Sequence, residues 1–355
     1  MFGYTCRVVK KISGYEKKTA EALLQKSGLI FEGSPDYTAL AEDSDENVIA
    51  TASLAGNVIK MVAADAEWQE ACLSSVVISA LMQAARSDGI YHFFIFTKPD
   101  TAEKFAGLGF RKLAAADKSV LMECGVPDVS DYRKTLEAER EKNGGPAAAA
   151  VMNCNPFTLG HRFLIEEAAS RERVFYVIVV AEDASVFPFE DRISLVRAGT
   201  ADIPNVSVLS SANYAVSAAT FPSYFLKDRA EMSEAGVQAE LDARLFTSLF
   251  VPSLSLTRRY VGTEPFSRVT ELYNETLKRV LPPAGCEVTE IERKSAEGCA
   301  ISASRVRAAI AGGAQDELAS LLPAVTLEYL NSPRGRAAAE RLRQAVPAEE
   351  KRGNL

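Results

Sequence analysis

The sequence is poor in histidine, has no cysteine pair with metal-binding or redox spacing, and contains no long apolar run. Only two of the 355 residues are histidines, His92 and His161. The six cysteines form no CxxC pair, which argues against a zinc site or a disulfide framework and favours reduced thiols. No run approaches the roughly 18 apolar residues of a membrane helix, and the N-terminus lacks the charged-then-apolar order of a secretory signal. We therefore expect a cytoplasmic protein without protein ligands for a metal.

Charge and length narrow the class further. The net charge of −7 argues against a general binder of nucleic acids or anionic membranes. A chain of 355 residues is long for one hydrophobic core, so two domains are expected.

The first part of the chain has the pattern of a mixed α/β domain. Helical spacing covers residues 17–27 and 72–87, and short strands at 37–41, 48–55 and 58–63 are divided by turn residues. Such strands predict an antiparallel meander.

The charged, helical stretch 131–142 ends at the breaker Asn143-Gly-Gly-Pro146. It is interpreted as a connector between domains, and a solvated surface helix of the first domain is the alternative. The predicted organisation is a first domain at 1–126, a linker helix at 127–146, a second domain at 147–332 and a helical tail at 333–355.

From residue 147 onward strands and helices alternate, beginning with a strand at 147–154 and a helix at 162–173. This alternation predicts a doubly wound parallel sheet, in which ligands bind beyond the carboxyl ends of the strands.

The loop Asn155-Pro-Phe-Thr-Leu-Gly-His161 lies at such an end. Gly160 has no Cβ, so a nucleotide can approach the backbone closely. His161 at a helix start can donate to a phosphate oxygen where the helix dipole also favours negative charge, and Thr158 adds a hydroxyl. The alternative is an ordinary core or surface histidine at a strand-to-helix turn.

A second segment, Ile301-Ser-Ala-Ser-Arg-Val-Arg307, opens a later helix. Ser304 is the expected N-cap, and Arg305 and Arg307 can contact phosphates. Taken alone, this pattern equally describes a capped helix with surface arginines.

A third segment, Phe187-Pro-Phe-Glu-Asp-Arg192, follows the second strand of the sheet. Arg192 could face a ligand there. Helix capping with a surface ion pair is the alternative.

Together, TLGH after the first strand and ISxSxxR about 140 residues later resemble the signature of the nucleotidyltransferase superfamily. The resemblance implies that a nucleophile attacks the α-phosphate of a nucleotide while pyrophosphate leaves, with Mg²⁺ as the usual clamp. Catalysis of this kind depends mainly on positioning and charge stabilisation.

The wider sequence resembles the [citrate (pro-3S)-lyase] ligase family, in which an N-terminal domain similar to GNAT acetyltransferases precedes a Rossmann-like nucleotidyltransferase domain. The resemblance rests on segments 151–169, 187–202, 219–225, 259–266 and 301–307. It implies that ATP activates acetate as acetyl-AMP, and that the acetyl group then passes to the thiol of the prosthetic arm on the citrate lyase acyl carrier protein.

The resemblance also implies site residues. His161, Thr158 and Arg307 would be catalytic, with Arg307 also holding the outgoing phosphates and Gly262 and Glu264 lying near the adenosine. The full set predicted to bind the nucleotide is Asn153, Asn155, Phe157, Gly160, His161, Arg192, Gly262, Glu264, Ser302, Ser304 and Arg307.

The N-terminal domain departs from the acetyltransferase pattern. Cys72 and Ser74 stand where that pattern has small residues whose amides hold the CoA pyrophosphate, and a Cβ at each position crowds the phosphate path. We expect this domain to dock the prosthetic arm or its carrier, with Cys72 buried at a helix start.

Two other functions fit the same patterns. One is an adenylyl- or cytidylyltransferase that acts on a small phosphorylated metabolite. The other is a non-catalytic module that recognises CoA-like arms.

Overall fold

The structure is a computed structural model that describes residues 3–183, 185–222, 232–264, 267–296 and 298–345, without the side chains of residues 69–71 and 345. Residues 223–225, 265–266 and 346–355, which carry parts of the family resemblance and of the predicted tail, lie outside these ranges. The chain divides into two compact units, Met1–Tyr132 and Arg133–Leu355.

The first unit contains one sheet and its covering helices. Its strands are β1 (Tyr4–Lys10), β2 (Tyr37–Asp43), β3 (Val48–Ala55), β4 (Val58–Ala64), β5 (His92–Thr97), β6 (Arg111–Ala116) and β7 (Ser119–Gly125). Its helices are α1 (Gly14–Lys26), α2 (Leu73–Ser87) and α3 (Ala102–Ala106), and α4 (Val129–Asn143) spans the boundary between the units.

The strands of this sheet lie in the order β1-β2-β3-β4-β5-β7-β6. The predicted meander of β2, β3 and β4 is confirmed, because each pair is antiparallel. Only β4 and β5 pair in parallel, over two residue pairs. Strands β1, β6 and β7 were not predicted. The core forms where apolar side chains of α2, such as Val77, Ile78 and Leu81, pack on the sheet.

The second unit contains the parallel sheet. Its strands are β8 (Ala147–Met152), β9 (Phe175–Val179), β10 (Val206–Ser210), β11 (Leu256–Gly262) and β12 (Glu287–Ile291), followed by a small hairpin of β13 (Ser295–Ala296) and β14 (Cys299–Ala300). Its helices are α5 (Leu159–Ala169), α6 (Phe189–Ala198), α7 (Met232–Leu254), α8 (Arg268–Val280), α9 (Ala303–Gly312), α10 (Gln315–Leu321), α11 (Ala324–Leu330) and α12 (Pro333–Ala345).

The five strands lie in the order β10-β9-β8-β11-β12, and all four pairs are parallel. The order reverses at β8, so a crevice is expected beyond the carboxyl ends of β8 and β11. A mixed α/β unit followed by a doubly wound parallel sheet is the predicted fold class, which is confirmed.

The two faces of this sheet can be followed along β11. The ring of Tyr260 packs edge-to-face against that of Phe175 in the core beneath α5 and α6. Arg259, the preceding residue, points to the other face and lies over the ring of Phe246 in α7. Helices therefore cover both faces, which explains why every residue of Phe175–Val179 is buried.

Two predicted helix starts differ from the structure. Helix α5 begins at Leu159 instead of Arg162, because Thr158 adopts an extended backbone and caps the first turn. Helix α9 is capped by Ser302 instead of Ser304, because Ser302 is the extended residue whose hydroxyl accepts from the N–H of Arg305. The long helix α7 was not predicted. Across the described ranges, no helix is both long and apolar enough to span a membrane.

Candidate active site

The loop after β8 ends in a reciprocal cap at the start of α5. The backbone N–H of His161 donates to Oγ1 of Thr158 at 3.3 Å, and the backbone N–H of Thr158 donates to Nδ1 of His161 at 3.1 Å. A capping box usually uses Glu or Gln at the third helical position, and here the imidazole takes that place. The cap fixes the ring at the N-terminus of the helix.

This geometry determines which nitrogen of His161 carries the proton. A backbone N–H can only donate, so Nδ1 must be an acceptor and the proton of the neutral ring lies on Nε2. Burial, with the charges of Arg293 and Arg307 as lesser causes, lowers the pKa of His161 from 6.5 to about 4. The ring is therefore neutral at pH 7. Within the described residues its hydrogen bonds are made at Nδ1, and Nε2–H remains to donate to a ligand.

The second predicted segment forms the start of α9. Ser302 caps this helix, with its Oγ 3.1 Å from the backbone nitrogen of Arg305. Ser304 is exposed inside the first turn, where its hydroxyl accepts from Nη2 of Arg307 at 3.1 Å. Nη1 of Arg307 donates to the carbonyl oxygen of Asn155 at 2.6 Å. Arg307 thus joins α9 to the loop that carries His161.

Gly160 brings the two helix starts together. A Cβ on this residue would lie 2.8 Å from the carbonyl oxygen of Ile301, which is too close for any other residue. The contact gives Gly160 a packing role between α5 and the segment before α9. Its predicted role in the close approach of a nucleotide stays a prediction.

Arg192 is placed in the frame of the site. It is 0 % exposed, and its Nη2 lies 3.8 Å from Oδ1 of the exposed Asp183, so the arginine forms its ion pair from a buried position. Its guanidinium donates to the backbone oxygens of Phe187, Asn153, Val180 and Glu182 at 2.6–2.9 Å. It therefore clamps the ends of β8 and β9 to the start of α6, and none of these contacts needs a ligand.

The two asparagines are held by this frame. Oδ1 of Asn153 accepts from Nη1 of Arg192 at 3.0 Å and from Oγ of Ser185 at 3.2 Å. Oδ1 of Asn155 accepts from the backbone N–H of Phe187 at 3.2 Å. Both residues remain half-buried at the carboxyl end of β8.

Phe157 is a buried support for the histidine. It is 0 % exposed, its ring stacks on that of His161 with centroids 6.1 Å apart, and its carbonyl oxygen accepts from the hydroxyl of Thr326. Arg305, in contrast, is engaged by other protein groups: its Nε donates to Oε1 of Glu317 at 2.7 Å, and its Nη1 donates to the carbonyl oxygen of Ala296 at 3.1 Å.

The carboxyl end of β11 holds the last two predicted residues. Gly262 ends the strand, and its carbonyl oxygen accepts from Nδ2 of Asn274 at 3.0 Å. Glu264 forms an ion pair at 2.5 Å with Arg293, whose Nε also donates to the carbonyl oxygen of Thr263 at 2.6 Å. Sequence reasoning missed Arg293. Its position just past the carboxyl end of β12 is the signal that could have found it.

The assembled site is a cluster of donors with positive charge. Two capped helix N-termini, Nε2–H of a neutral histidine and the guanidinium groups of Arg293 and Arg307 lie at one end of the parallel sheet. Such donors match the oxygens of a phosphate chain. Across the described part of the chain, no group of three or more His, Cys, Asp or Glu residues could hold a metal ion.

One prediction for the first unit is wrong. Cys72 is exposed instead of buried, and it precedes α2 with a left-handed backbone (φ 49°) that turns its side chain out of the core.

Comparison with known proteins identifies the second unit. Residues 147–330 match a domain family described as the citrate lyase ligase C-terminal domain. The chain belongs to the citrate lyase ligase family.

Individual relatives extend this finding to most of the chain. A [citrate [pro-3S]-lyase] ligase from Escherichia coli (strain K12) is 39% identical over 296 residues, covering 81% of this chain and 83% of the relative. One from Klebsiella pneumoniae is 36% identical and covers 88% and 92%. The predictions of the family and of a ligase are confirmed. Among solved structures, the ribosomal-protein-S18-alanine N-acetyltransferase from Escherichia coli matches 34% of this chain and 94% of its own, with 12% identity and a TM-score of 0.29.

Proposed function

We propose that this ligase activates acetate with ATP and transfers the acetyl group to the thiol of the prosthetic arm on the citrate lyase acyl carrier protein. The observation that carries the proposal is the neutral His161, which is fixed through Nδ1 where the N-termini of α5 and α9 meet, so that Nε2–H is left for a ligand. The names of the relatives, which specify a ligase for citrate lyase, support the identity of the target.

In the first step an acetate oxygen attacks the α-phosphorus of ATP, and the bond to the β-phosphate oxygen breaks. Acetyl-AMP and pyrophosphate are the products. Nε2–H of His161 would donate to the phosphoryl oxygen on which charge grows, while Arg307 and the free amides of α9 would bind the departing pyrophosphate. A neutral donor suits this task because it gives up no proton in the reaction.

In the second step the carrier thiolate attacks the acetyl carbonyl carbon, and AMP leaves with the electron pair of the cleaved C–O bond. The thioester on the carrier is the product that restores citrate lyase. We propose that both steps take place in the cytoplasm, where the reduced cysteines of this chain also belong.

Mg²⁺ would enter with ATP. It keeps several waters and takes few protein ligands at nucleotide sites, so the phosphates themselves would hold it. The chemistry that Mg²⁺ supplies is neutralisation of phosphate charge.

The test measures both steps with the purified protein. Acetate-dependent exchange of labelled pyrophosphate into ATP reports acetyl-AMP formation, and incubation with thiol-form citrate lyase reports AMP release and regained lyase activity. We expect both signals with acetate. Exchange that requires phosphopantetheine or nicotinamide mononucleotide instead would assign the site to dinucleotide synthesis and refute the proposal.

A further inference from the structure

A buried arginine in the second unit has donors that no described residue satisfies. Arg259 on β11 is 1 % exposed, and its Nε and Nη1 have no hydrogen-bond partner among the described residues. Only Nη2 donates, to the hydroxyl of Tyr273 at 3.0 Å. A buried donor left unpaired is costly, and a buried charge left unpaired costs more. Selection for stability alone would favour an apolar residue of similar volume here.

The surroundings of this guanidinium are aromatic. Its Cζ lies 4.2 Å from the ring centroid of Phe246 and 5.4 Å from that of Tyr273. Phe221 packs against Tyr273, with ring centroids 5.1 Å apart. Walls of this kind exclude water, so an anion that reaches the guanidinium is attracted more strongly than in solvent.

The carboxylate on the other side of Tyr273 is already engaged. Asp242 is fully buried, and its Oδ1 accepts from the backbone N–H of Val216 at 2.7 Å. Its Oδ2 accepts from the hydroxyl of Tyr273, which separates it from Arg259. The carboxylate does not use Nε or Nη1. It also disfavours a second highly charged group, so the vacant donors suit a monoanion better than a phosphate.

The position is close to the ligand end of the sheet. Arg259 lies three residues before Gly262, which ends β11, so the two Cα atoms are about 10 Å apart along the strand. Asn274, the neighbour of Tyr273 on α8, hydrogen-bonds the carbonyl oxygen of Gly262. The cluster thus lies beneath the carboxyl end of a strand at the topological switch.

We infer that Arg259, oriented by Tyr273 and packed against the ring of Phe246, is a binding site for a small carboxylate. A guanidinium in fixed orientation matches a carboxylate, and the aromatic walls accept a short apolar end. That this carboxylate is the substrate acetate rests on the proposed function. The presence of a carboxylate site at Arg259 does not depend on that function.

The experiment compares Arg259→Met with Arg258→Met. Arg258 is the adjacent residue on the opposite face, where it is part-exposed and paired with Glu172 at 2.7 Å. Thermal unfolding is followed against sodium acetate, with sodium chloride and neutral acetamide as controls. We expect acetate to raise the melting temperature of the wild type and of Arg258→Met, and to have no such effect on Arg259→Met. Without acetate, Arg259→Met should melt at or above the wild-type temperature.

Kinetics provide a second readout. We expect Arg259→Met to raise the KM for acetate by roughly 10- to 100-fold, as expected for one lost charge-assisted contact, with the KM for ATP unchanged. Arg259→Lys keeps the charge and should give a smaller increase, and it replaces the methionine variant if that one does not fold. A lowered melting temperature with an intact acetate response would show a purely structural arginine and overturn the inference. If acetate stabilises the protein through Arg259 but supports no pyrophosphate exchange, the proposed function fails and the site stands.

Discussion

Substitutions of His161 should separate the stability of α5 from catalysis. The ring has two tasks, since Nδ1 caps the helix through Thr158 and Nε2–H is left for the ligand. Glutamine and glutamate are the residues that ordinarily close a capping box from this position. Both can cap the helix in place of Nδ1, but only glutamine keeps a donor for the ligand.

The structure predicts small differences in the free energy of unfolding that rank the three variants. Alanine removes the acceptor of the 3.1 Å hydrogen bond from Thr158, which should lower the free energy of unfolding by about 1–2 kcal/mol. Glutamine restores the acceptor. Glutamate restores it and adds a negative charge at a helix N-terminus beside Arg293 and Arg307, worth about 0.3–1 kcal/mol. Glutamate should therefore be the most stable variant and alanine the least.

For activity, the order is different. Loss of one preorganised donor at a developing oxyanion typically lowers kcat by about 10²- to 10³-fold, so His161→Ala should fall in that range. His161→Gln keeps a neutral N–H donor and should lose less. His161→Glu places a negative charge against the phosphates and should be the least active of the three.

Acetate-dependent pyrophosphate exchange and thermal unfolding, measured on the same preparations, distinguish a catalytic donor from a structural cap. The expected order of activity is wild type, glutamine, alanine, glutamate, while glutamate leads in stability. If activity instead followed stability through the series, His161 would be a structural cap, and the assignment of Nε2–H as the catalytic donor would be wrong.

Three further outcomes are expected. The pKa of His161 falls from 6.5 to about 4 on folding, so the unfolded state takes up the proton first as the pH falls. The wild type should therefore lose at most about 3 kcal/mol of unfolding free energy when the pH is lowered from 6.5 to 4. Urea titrations should show no such loss for His161→Gln. Gly160→Ala puts a Cβ 2.8 Å from the carbonyl oxygen of Ile301 and should lower the free energy of unfolding by about 1–3 kcal/mol and abolish most of the pyrophosphate exchange. In the control Gly312→Ala the new Cβ meets no atom within 4 Å, so this variant should be as stable as the wild type or more stable. Equal melting temperatures of the two variants would refute the packing role of Gly160. Ser302→Ala should lose about 1 kcal/mol as the true N-cap and Ser304→Ala much less, and the reverse order would contradict the helix start.

The sequence was sufficient to predict the parallel sheet of the second unit because strand and helix periods alternate clearly there. The near-continuous apolar strand Phe175–Val179 is typical of a sheet covered on both faces. Helix α7 escaped prediction because so many of its residues are buried that no amphipathic stripe stands out, as with Gln238 and Asp242 inside the core.

Side-chain roles were harder to predict because they depend on partners distant in sequence. Arg192 and Arg259 look alike as charged residues beside apolar runs, yet both are buried, and the partners of Arg192 come from three separate segments. The start of α5 could have been found locally, since Thr158 and His161 have capping-box spacing. A histidine in place of the usual acid or amide concealed it.

The choice of histidine at this cap follows from the chemistry required there. A glutamate would cap α5 as well and complement Arg293 and Arg307, but it would repel the phosphates that those arginines attract. A protonated histidine would leave Nδ1 unable to accept from Thr158, so the cap and the charge state depend on each other. The cap therefore selects the neutral form, and the neutral form presents a donor that the reaction need not deprotonate. His161 both caps the helix and contacts the ligand. Substitutions at such a residue should therefore change stability and activity in different ways.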